Sequence, residues 1–437
     1  MSYAEFLAAK QKRAAAVGIE PGELSPMLKP FQKWCTEWAL RQGRAALFQG
    51  CGLGKSWQAI EWASVVAKNT RKPVLILTPL AVAPQFEREA AKMGHYVRYV
   101  RDPSEMADGC LVYVTNYDRI DKFESVVSML GGVVLDESSI LKAFDGKTRT
   151  RLIEVFAGTP YRLCCTATPS PNDPVELGNH AEFLGVMRHV DMQQRFFEHD
   201  AGDTGNWVLK GHARRAFWRW VATWAICLNK PSDIGFDDTG YDLPPLEWHE
   251  HVVTVESVAS EEKQLSFSAT YEASTLGEQR VVRRESMAER VAKAAEIVNA
   301  DREQWIVWAA LNPESEALTK AIDGAIEVTG SQSADEKEAR IMQFLDGNAR
   351  VLVTKMGICG FGLNAQVVAR QLFVGIEHSF ESQYQAVRRS WRFGQSRPVH
   401  AHQIRTSADG RIMANIRRKQ EEFNDMHRSM VEVIRGS

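Results

Sequence analysis

The sequence lacks long apolar runs, paired cysteine motifs and a strong net charge. No stretch of the 437 residues approaches the roughly 18 to 20 apolar residues that span a bilayer, and residues 1–16 contain no apolar core followed by a cleavage site. The seven cysteines include no Cys-x-x-Cys pair, which argues against a disulfide framework and a structural metal site. We therefore expect an intracellular protein that is not secreted and has no membrane contact.

Internal repeats and low-complexity tracts are also missing. Hydrophobic residues make up 44% of the chain and charged residues 25%, which is ordinary for a folded globular protein. The length exceeds that of one ordinary core and suits two domains of roughly 200 residues. Because the formal net charge is −2, a nucleic-acid-binding chain of this composition must concentrate its positive charge in one groove.

Short apolar segments alternate with amphipathic stretches of helix length. Strands are predicted at 74–77, 111–114, 133–135 and 163–165 in the first half, and at 305–308, 351–353 and 372–374 in the second. Continuous apolar strands separated by helices are typical of parallel sheets that are covered on both faces. The two series predict two α/β lobes in tandem.

A stretch rich in proline, glycine and aspartate, 233–245, separates the two series and predicts a linker. It divides a first lobe, 28–232, from a second lobe, 246–437, which ends in a helical segment; residues 1–27 form an N-terminal extension. Segment 214–224 carries aromatic residues at helical spacing, which favours an amphipathic packing helix over a nucleic-acid-binding face.

A glycine-rich turn at 50–56 follows an apolar strand and precedes a helical stretch. Glycines at such a junction let backbone N–H groups and the helix N-terminus face an anion. Lys55 is placed to reach the β- and γ-phosphates of ATP, and the Ser56 hydroxyl to ligate Mg²⁺. Gln49 stands where the first glycine of the usual pattern falls. The loop residues predicted to bind nucleotide are Gly52, Leu53, Gly54, Lys55 and Ser56.

Two adjacent carboxylates, Asp136 and Glu137, end the apolar strand at 133–135. Ligands bind at the carboxyl ends of strands in α/β sheets. Asp136 is predicted to hold Mg²⁺ through water, and Glu137 to orient and deprotonate the attacking water. The alternative, a helix N-cap with favourable acids, is disfavoured by the upstream Gly-Lys-Ser.

Arg389 and Arg392 lie far downstream and, three residues apart, would share one face of a helix. An arginine supplied by a second lobe can neutralise the charge of phosphoryl transfer only when the cleft closes. A solvated basic helix is the alternative. The pairing with a nucleotide site favours the catalytic role.

The order of these motifs resembles superfamily 2 helicases, and within them the Swi/Snf-type DNA translocase branch. The resemblance covers 28–395 and implies two RecA-like lobes with ATP bound in the cleft between them. Segment 29–32 is similar to the adenine-reading motif, which implies that Gln32 contacts the base. Segment 52–56 matches the branch's Gly-Leu-Gly-Lys-Thr loop, with Ser56 in place of threonine.

Other segments resemble the family's nucleic-acid contacts and its second-lobe motifs. The residues for which the resemblance implies a nucleic-acid contact are Thr78, Pro79, Thr115, Asn116, Lys142, Thr354 and Lys355. Segment 166–169 resembles the motif that links the ATP state to lobe movement, and Gly362 lies in a motif that touches DNA and nucleotide. Gln385, Arg389 and Arg392 match the family's glutamine and its two finger arginines.

Two departures from the family pattern stand out. Ser138 and Ser139 replace the usual Ala-His after the two acids, so the family's histidine coupling element is absent here. Arg388 replaces a helicase glycine. Because the chain carries almost nothing outside the motor, it resembles compact members from bacteria and their viruses, which implies the cytoplasm of a bacterial or virus-infected cell.

Together the motifs predict an ATPase that uses Mg²⁺ and moves along DNA, with duplex DNA favoured and no sequence preference. A protein partner could load it. Three alternatives stay open: a strand-separating DNA or RNA helicase, a nucleotide-gated clamp with slow hydrolysis, and a non-motor P-loop kinase. The distant arginine pair disfavours the kinase.

Two weaker signals remain at the end of the sequence. Ten arginines and Lys419 stand against five acids from Arg388 onward, which suits a phosphate-tracking face or a solvated amphipathic helix equally well. His249 with His251, and His400 with His402, alternate on strands, so each pair faces one side. Two histidines without a third ligand are more often surface residues than a metal site.

Overall fold

The computed structural model describes residues 18–79, 82–106, 109–142, 146–199, 207–253, 283–359, 365–375 and 379–435. These residues belong to two compact units. The first unit is Met1–Thr239 together with Glu422–Ser437, and the second is Gly240–Glu421. The division between Thr239 and Gly240 lies within the proline- and aspartate-rich stretch at 233–245.

The first unit is built on a sheet of seven strands in the order β3-β4-β2-β5-β6-β1-β9, and every pairing is parallel. Its strands are β1 (Arg44–Gln49), β2 (Val74–Thr78), β3 (Arg98–Tyr99), β4 (Val112–Asn116), β5 (Gly132–Asp136), β6 (Tyr161–Thr166) and β9 (Ala225–Leu228). Strands β7 (Phe197–His199) and β8 (Trp207–Leu209) form a separate antiparallel hairpin. The α-helices are Pro30–Gln42, Lys55–Thr70, Ala83–Lys92, Ile120–Phe123, Lys147–Val155, Leu177–Leu184, His189–Phe196 and Arg214–Val221.

The second unit contains a parallel sheet of six strands in the order β10-β15-β14-β11-β13-β12. The strands are β10 (Leu246–Val253), β11 (Trp305–Ala309), β12 (Ala325–Val328), β13 (Val351–Thr354), β14 (Arg370–Val374) and β15 (Val399–Thr406). The helices are Met287–Asn299, Asn312–Ala321, Ala334–Leu345, Met356–Cys359 and Phe380–Val387, followed by Gly410–Arg435, which runs into the part of the chain grouped with the first unit.

The prediction of two α/β lobes with parallel sheets is confirmed. All seven predicted apolar segments contribute to strands, and β2, β4, β5, β11 and β13 are buried along their whole length. Helices cover both faces of a parallel sheet, so its strands have no solvent-facing side to alternate with polar residues.

The shared helix face suggested by the spacing of Arg389 and Arg392 is not present in the structure. The helix Phe380–Val387 ends before both arginines, and the chain turns from Arg388 onward. The Arg388 guanidinium lies 4.2 Å from the ring centroid of Trp391, and the Trp391 indole N–H donates to the Pro244 carbonyl at 2.6 Å. These contacts involve residues of the turn that follows the helix.

The predicted helix at 214–224 is also shorter than expected, since it ends at Val221. Its packing role is clear in the structure: Phe217 and Trp218 are buried, whereas Arg214, Arg215 and Arg219 are exposed. The aromatic side chains thus pack this helix into the first unit, and its arginines face outward.

The end of the last helix groups with the first unit, although the sequence places it in the second lobe. Arg435 donates to the carbonyls of Ser232 and Asp233, and His427 lies 3.7 Å from the Asp233 carboxylate. Phe423, Met426 and Met430 are buried.

Over the described residues, none of the helices combines the length and the apolarity that crossing a membrane requires.

A buried ion pair supports the core of the second unit. Arg290 and Glu314 are 1% and 0% exposed, and the Arg290 Nη2 lies 2.6 Å from the Glu314 Oε1. The other Glu314 oxygen accepts from the Ala310 N–H at 2.8 Å. The pair therefore joins the helices Met287–Asn299 and Asn312–Ala321 directly after β11.

We predict that Arg290→Met lowers the free energy of unfolding of the second unit by about 3–5 kcal/mol, because it leaves the Glu314 carboxylate buried and unpaired. Urea denaturation measures the loss, and hydrogen exchange of β11 assigns it to the second unit. Lys293→Met on the same helix is the control, since its pair with Glu296 is solvent-exposed and contributes at most about 1 kcal/mol. Equal losses in the two variants would contradict the prediction.

Candidate active site

The carboxyl ends of the first sheet bring the predicted nucleotide-binding residues to one edge. In the strand pairings, Phe48 of β1 lies opposite Thr166 of β6, and Asp136 of β5 lies opposite Cys165. Thr78 lies opposite Asn116 at the ends of β2 and β4. Parallel strands all end at the same edge, so the loops that follow them share one surface.

The glycine-rich loop has the backbone that its sequence predicts. Gly52 and Gly54 have φ values of 89° and 78°, in the left-handed region that favours glycine. A Cβ on Gly54 would lie 2.3 Å from the Gln32 side-chain nitrogen. The backbone therefore favours glycine at 54, and a Cβ there would displace the Gln32 amide. The helix Lys55–Thr70 begins directly after this glycine.

Gln32 contacts this loop through its side-chain amide. Its amide nitrogen donates to the Leu53 carbonyl at 2.9 Å, and its amide oxygen accepts from the Lys29 N–H at 2.9 Å. Gln49, at the unusual position of the loop, exchanges two 2.8 Å hydrogen bonds with Gln58. These amides hold the loop in place; base contact by Gln32 stays a prediction.

Lys55 and Ser56 begin the helix, where the N-terminus favours negative charge. The Lys55 ammonium donates to the carbonyls of Gln49 at 2.8 Å and Gly50 at 3.2 Å. The ammonium group therefore lies against the loop that is predicted to bind phosphate. Ser56 lies in the first helical turn, half-buried.

Asp136 is buried at the end of β5 and accepts hydrogen bonds through both its carboxylate and its backbone carbonyl. Its carboxylate accepts from the Thr78 hydroxyl at 2.9 Å, and its backbone carbonyl accepts from the Tyr117 hydroxyl at 2.8 Å. Burial, and then the neighbouring Glu137 charge, raise the pKa of Asp136 to about 7, while Thr78 and Lys55 act in the opposite direction. A cation bound here would relieve this cost, because it favours the charged carboxylate.

Glu137 has a strained backbone, with φ 61° and ψ 56°. Non-glycine residues adopt this conformation rarely, and it concentrates at functional sites. The Glu137 carboxylate accepts from the Thr166 hydroxyl at 2.5 Å and from the Ser139 hydroxyl at 3.0 Å. Thr166 also accepts from the Thr168 N–H at 3.0 Å. The end of β6 therefore positions the predicted general base.

A buried histidine that the motifs do not predict contacts Ser138, the residue after these two carboxylates. The His180 Nε2 is 3.1 Å from the Ser138 hydroxyl, and burial lowers the pKa of His180 to about 3, so its imidazole is neutral. His180 comes from the helix Leu177–Leu184, 42 positions beyond Ser138. The segment that departs from the family's Asp-Glu-Ala-His pattern thus contacts a histidine supplied by another element.

The donor set fits the predicted ligands. A carboxylate and a hydroxyl are oxygen ligands of the kind that Mg²⁺ prefers, and the glycine turn with Lys55 presents backbone N–H groups and a cation to phosphate. Asp136 and Ser56 would hold Mg²⁺, and residues 52–56 would hold the phosphates.

The residues predicted to touch nucleic acid lie in different environments. Thr78, Thr115 and Asn116 are buried at the strand ends, and Thr78 is bonded to Asp136. Pro79 and Lys142 are half-buried beside the same edge. Their contacts with nucleic acid stay predictions.

The predicted residues of the second unit lie in two places, at the end of β13 and at the end of the helix Phe380–Val387. Thr354 is buried and donates to the Val328 carbonyl at 2.8 Å, and Lys355 follows it, half-buried. The Gln385 side-chain oxygen accepts from Arg389 at 2.9 Å. Arg392 follows in the turn, half-buried. Gly362 lies outside the described residues.

A basic pocket of 810 Å³ lies elsewhere in the first unit. It is lined by Arg214, Arg215 and Arg219 together with Ser429, Glu432 and Val433 of the last helix. None of its lining residues belongs to the predicted nucleotide site. Arg214 already faces a carboxylate, Asp425, at 3.9 Å.

Comparison with protein-family models finds no match, and comparison with curated proteins finds none either. Among solved structures, the chain is similar to the SWI2/SNF2 ATPase core of Sulfolobus solfataricus, solved in complex with double-stranded DNA. The two are 18% identical, the alignment covers 96% of this chain and 97% of the other, and the TM-score is 0.45.

We predict that Thr166→Val lowers ATP turnover roughly 10- to 100-fold, because a hydrogen bond to a charged group contributes about 1.5–3 kcal/mol. Nucleotide affinity should stay within about threefold, since Thr166 acts on Glu137 and lies outside the phosphate loop. Steady-state turnover and fluorescent-nucleotide binding measure the two effects. Thr223→Val, which removes an exposed hydroxyl, is the control. Unchanged turnover in Thr166→Val would show that Glu137 needs no support from β6.

Proposed function

We propose that this chain is an ATPase that uses Mg²⁺ and moves along DNA, with duplex DNA as the favoured track. The observation that carries the proposal is the arrangement around Glu137. Glu137 directly follows β5 and the buried Asp136, has a strained backbone, and accepts hydrogen bonds from two hydroxyls. The glycine-rich loop, with Gly52 and Gly54 in the left-handed region, and Lys55 follow the end of β1 in the same sheet.

The residues of the first unit divide the work of hydrolysis. Lys55 and the loop amides bind the β- and γ-phosphates, and Asp136 and Ser56 hold the metal. Bound Mg²⁺ supplies positive charge against the phosphate oxygens. Glu137 accepts a proton from the attacking water, and Thr166 with Ser139 keeps its carboxylate oriented toward that water.

In this proposal the second unit contributes positive charge to the transferring phosphoryl group through Arg389 and Arg392. The contact between Arg389 and Gln385 restricts the side chain before the reaction, which reduces the entropy lost when it binds phosphate. Hydrolysis then changes which arrangement of the two units is favoured, and this population shift drives movement.

The nucleic-acid track is inferred from the motifs that resemble the Swi/Snf branch. Their residues flank both sheets at the carboxyl ends of strands, where backbone contacts with phosphate need no base recognition. Affinity for DNA is therefore expected to be electrostatic, with a salt slope of roughly −0.9 per phosphate neutralised.

The decisive experiment compares ATP turnover without nucleic acid and with duplex DNA, single-stranded DNA and RNA. We expect duplex DNA to give the largest stimulation. Lys55→Ala serves as the control for contaminating ATPases, because it removes the charge that faces the phosphates. Slow turnover that no nucleic acid changes would favour a nucleotide-gated clamp, and preferential stimulation by single strands or RNA would favour a strand-separating helicase.

We further predict that Arg392→Ala loses most DNA-stimulated turnover, since an arginine finger contributes about 10³ to 10⁵ in rate. ATP and DNA affinities should stay near normal, because the ground-state phosphate contacts come from the first unit. All three quantities are measured on one variant. Arg397→Ala, which removes an exposed arginine paired with Glu303, is the matched control. Turnover that survives within about threefold would remove Arg392 from the active site.

A further inference from the structure

Four histidines form one stacked column on the outer part of the second sheet. Strands β10 and β15 are adjacent and parallel, with Glu247 opposite His400 and His249 opposite His402. Ring centroids of His249 lie 5.4 Å from His400 and 4.5 Å from His402, and His251 lies 5.3 Å from His402. Alternate residues share a face of a strand, so the two sequence pairs become one cluster.

A carboxylate joins one end of this column. The Glu247 Oε2 lies 3.3 Å from the His400 Nδ1 and 4.0 Å from the His249 Nε2. The two nitrogens are 3.1 Å apart. Among the residues that the structure describes, these three form the one group of potential metal ligands whose donor atoms converge within 4.8 Å.

The separations match those of ligands around one small cation. Two ligand atoms at about 2.0–2.1 Å from a tetrahedral Zn²⁺ are roughly 3.3 Å apart. Two of the three separations lie close to this value, and the carboxylate closes the third by a side-chain rotation. The backbone is well fixed, because β10 and β15 are in register over eight residue pairs, from Leu246–Val399 to Val253–Thr406.

The type of donor selects the class of cation. Imidazole nitrogens suit zinc, copper, iron and nickel, whereas Mg²⁺ and Ca²⁺ require oxygen ligands. The side chains of Glu247, His249 and His400 are 49%, 39% and 28% exposed. An ion can therefore reach them from solvent, and water can fill a fourth coordination position.

The neighbouring pair provides a contrast. The His251 Nε2 and the His402 Nδ1 are also 3.1 Å apart, but no carboxylate converges on them among the described residues. A hydrogen bond between the two imidazoles is sufficient to explain this second pair.

We propose that Glu247, His249 and His400 bind one divalent transition-metal ion of the zinc class, with water as the fourth ligand. The ion joins β10, the edge strand of the sheet, to β15 through side chains as well as through the backbone. The site is separate from the Mg²⁺ ligands proposed in the first unit, and it does not depend on the ATPase activity.

The test is a calorimetric titration of the untagged full-length chain with Zn²⁺, after removal of metal by a chelator. Excess Mg²⁺ is present so that the oxygen ligands Asp136 and Ser56 do not contribute. We expect one equivalent of Zn²⁺, with affinity lowered at least about tenfold by His400→Gln. His251→Gln is the matched control and should bind Zn²⁺ within about threefold of the unchanged chain.

Titration with Co²⁺ identifies the ligands. A visible band without sulfur-to-metal charge transfer supports nitrogen and oxygen ligation, whereas a thiolate band would assign the ion to cysteine, such as the partly exposed Cys51. Glu247→Ala, at an exposed position, tests the same site if His400→Gln does not fold. No stoichiometric Zn²⁺ binding, or equal affinity in the unchanged chain and in these variants, would overturn the proposal.

Discussion

Both units depend on the burial of parallel strands whose carboxyl ends meet at one edge. The strands β2, β4, β5, β11 and β13 are buried along their whole length, as expected where helices cover both faces of a parallel sheet. In β2, β5 and β13 the polar side chain stands at the last position, where the strand ends. In the first unit this edge collects Thr78, Asp136 and Thr166 from three neighbouring strands. The chemistry that we propose follows from this constraint.

The electrostatics of that edge explain why its polar residues are so closely bonded. Asp136 and Glu137 are consecutive carboxylates, and burial together with their mutual repulsion raises the pKa of Asp136 to about 7. Hydroxyls on both acids and the charge of Lys55 offset part of this cost. The strained backbone of Glu137 adds to it. Two neighbouring carboxylates are unfavourable in a buried site, and a bound cation would reduce this cost. Such a site is suited to binding a nucleotide with its metal ion.

The second unit uses its sheet differently. Among the described strands, β10 lies at the end of the sheet and pairs with β15, and the face that the two strands share carries Glu247 and four histidines. Exposed edges of sheets can pair with other chains. A metal ion bound between β10 and β15 would stabilise this edge of the sheet. The buried pair of Arg290 and Glu314 joins two helices of the same unit, Met287–Asn299 and Asn312–Ala321.

The sequence by itself determined the two α/β lobes, the glycine loop and the acidic strand end, because each rests on local periodicity or on residues adjacent in the chain. It did not determine the turn at Arg388–Arg392, where Trp391 donates to the carbonyl of the distant Pro244. Nor could it place His180 against Ser138, or Glu247 against His400, because these partners are 42 and 153 positions apart. Contacts between distant segments follow from strand order and register, and only the tertiary structure decides these.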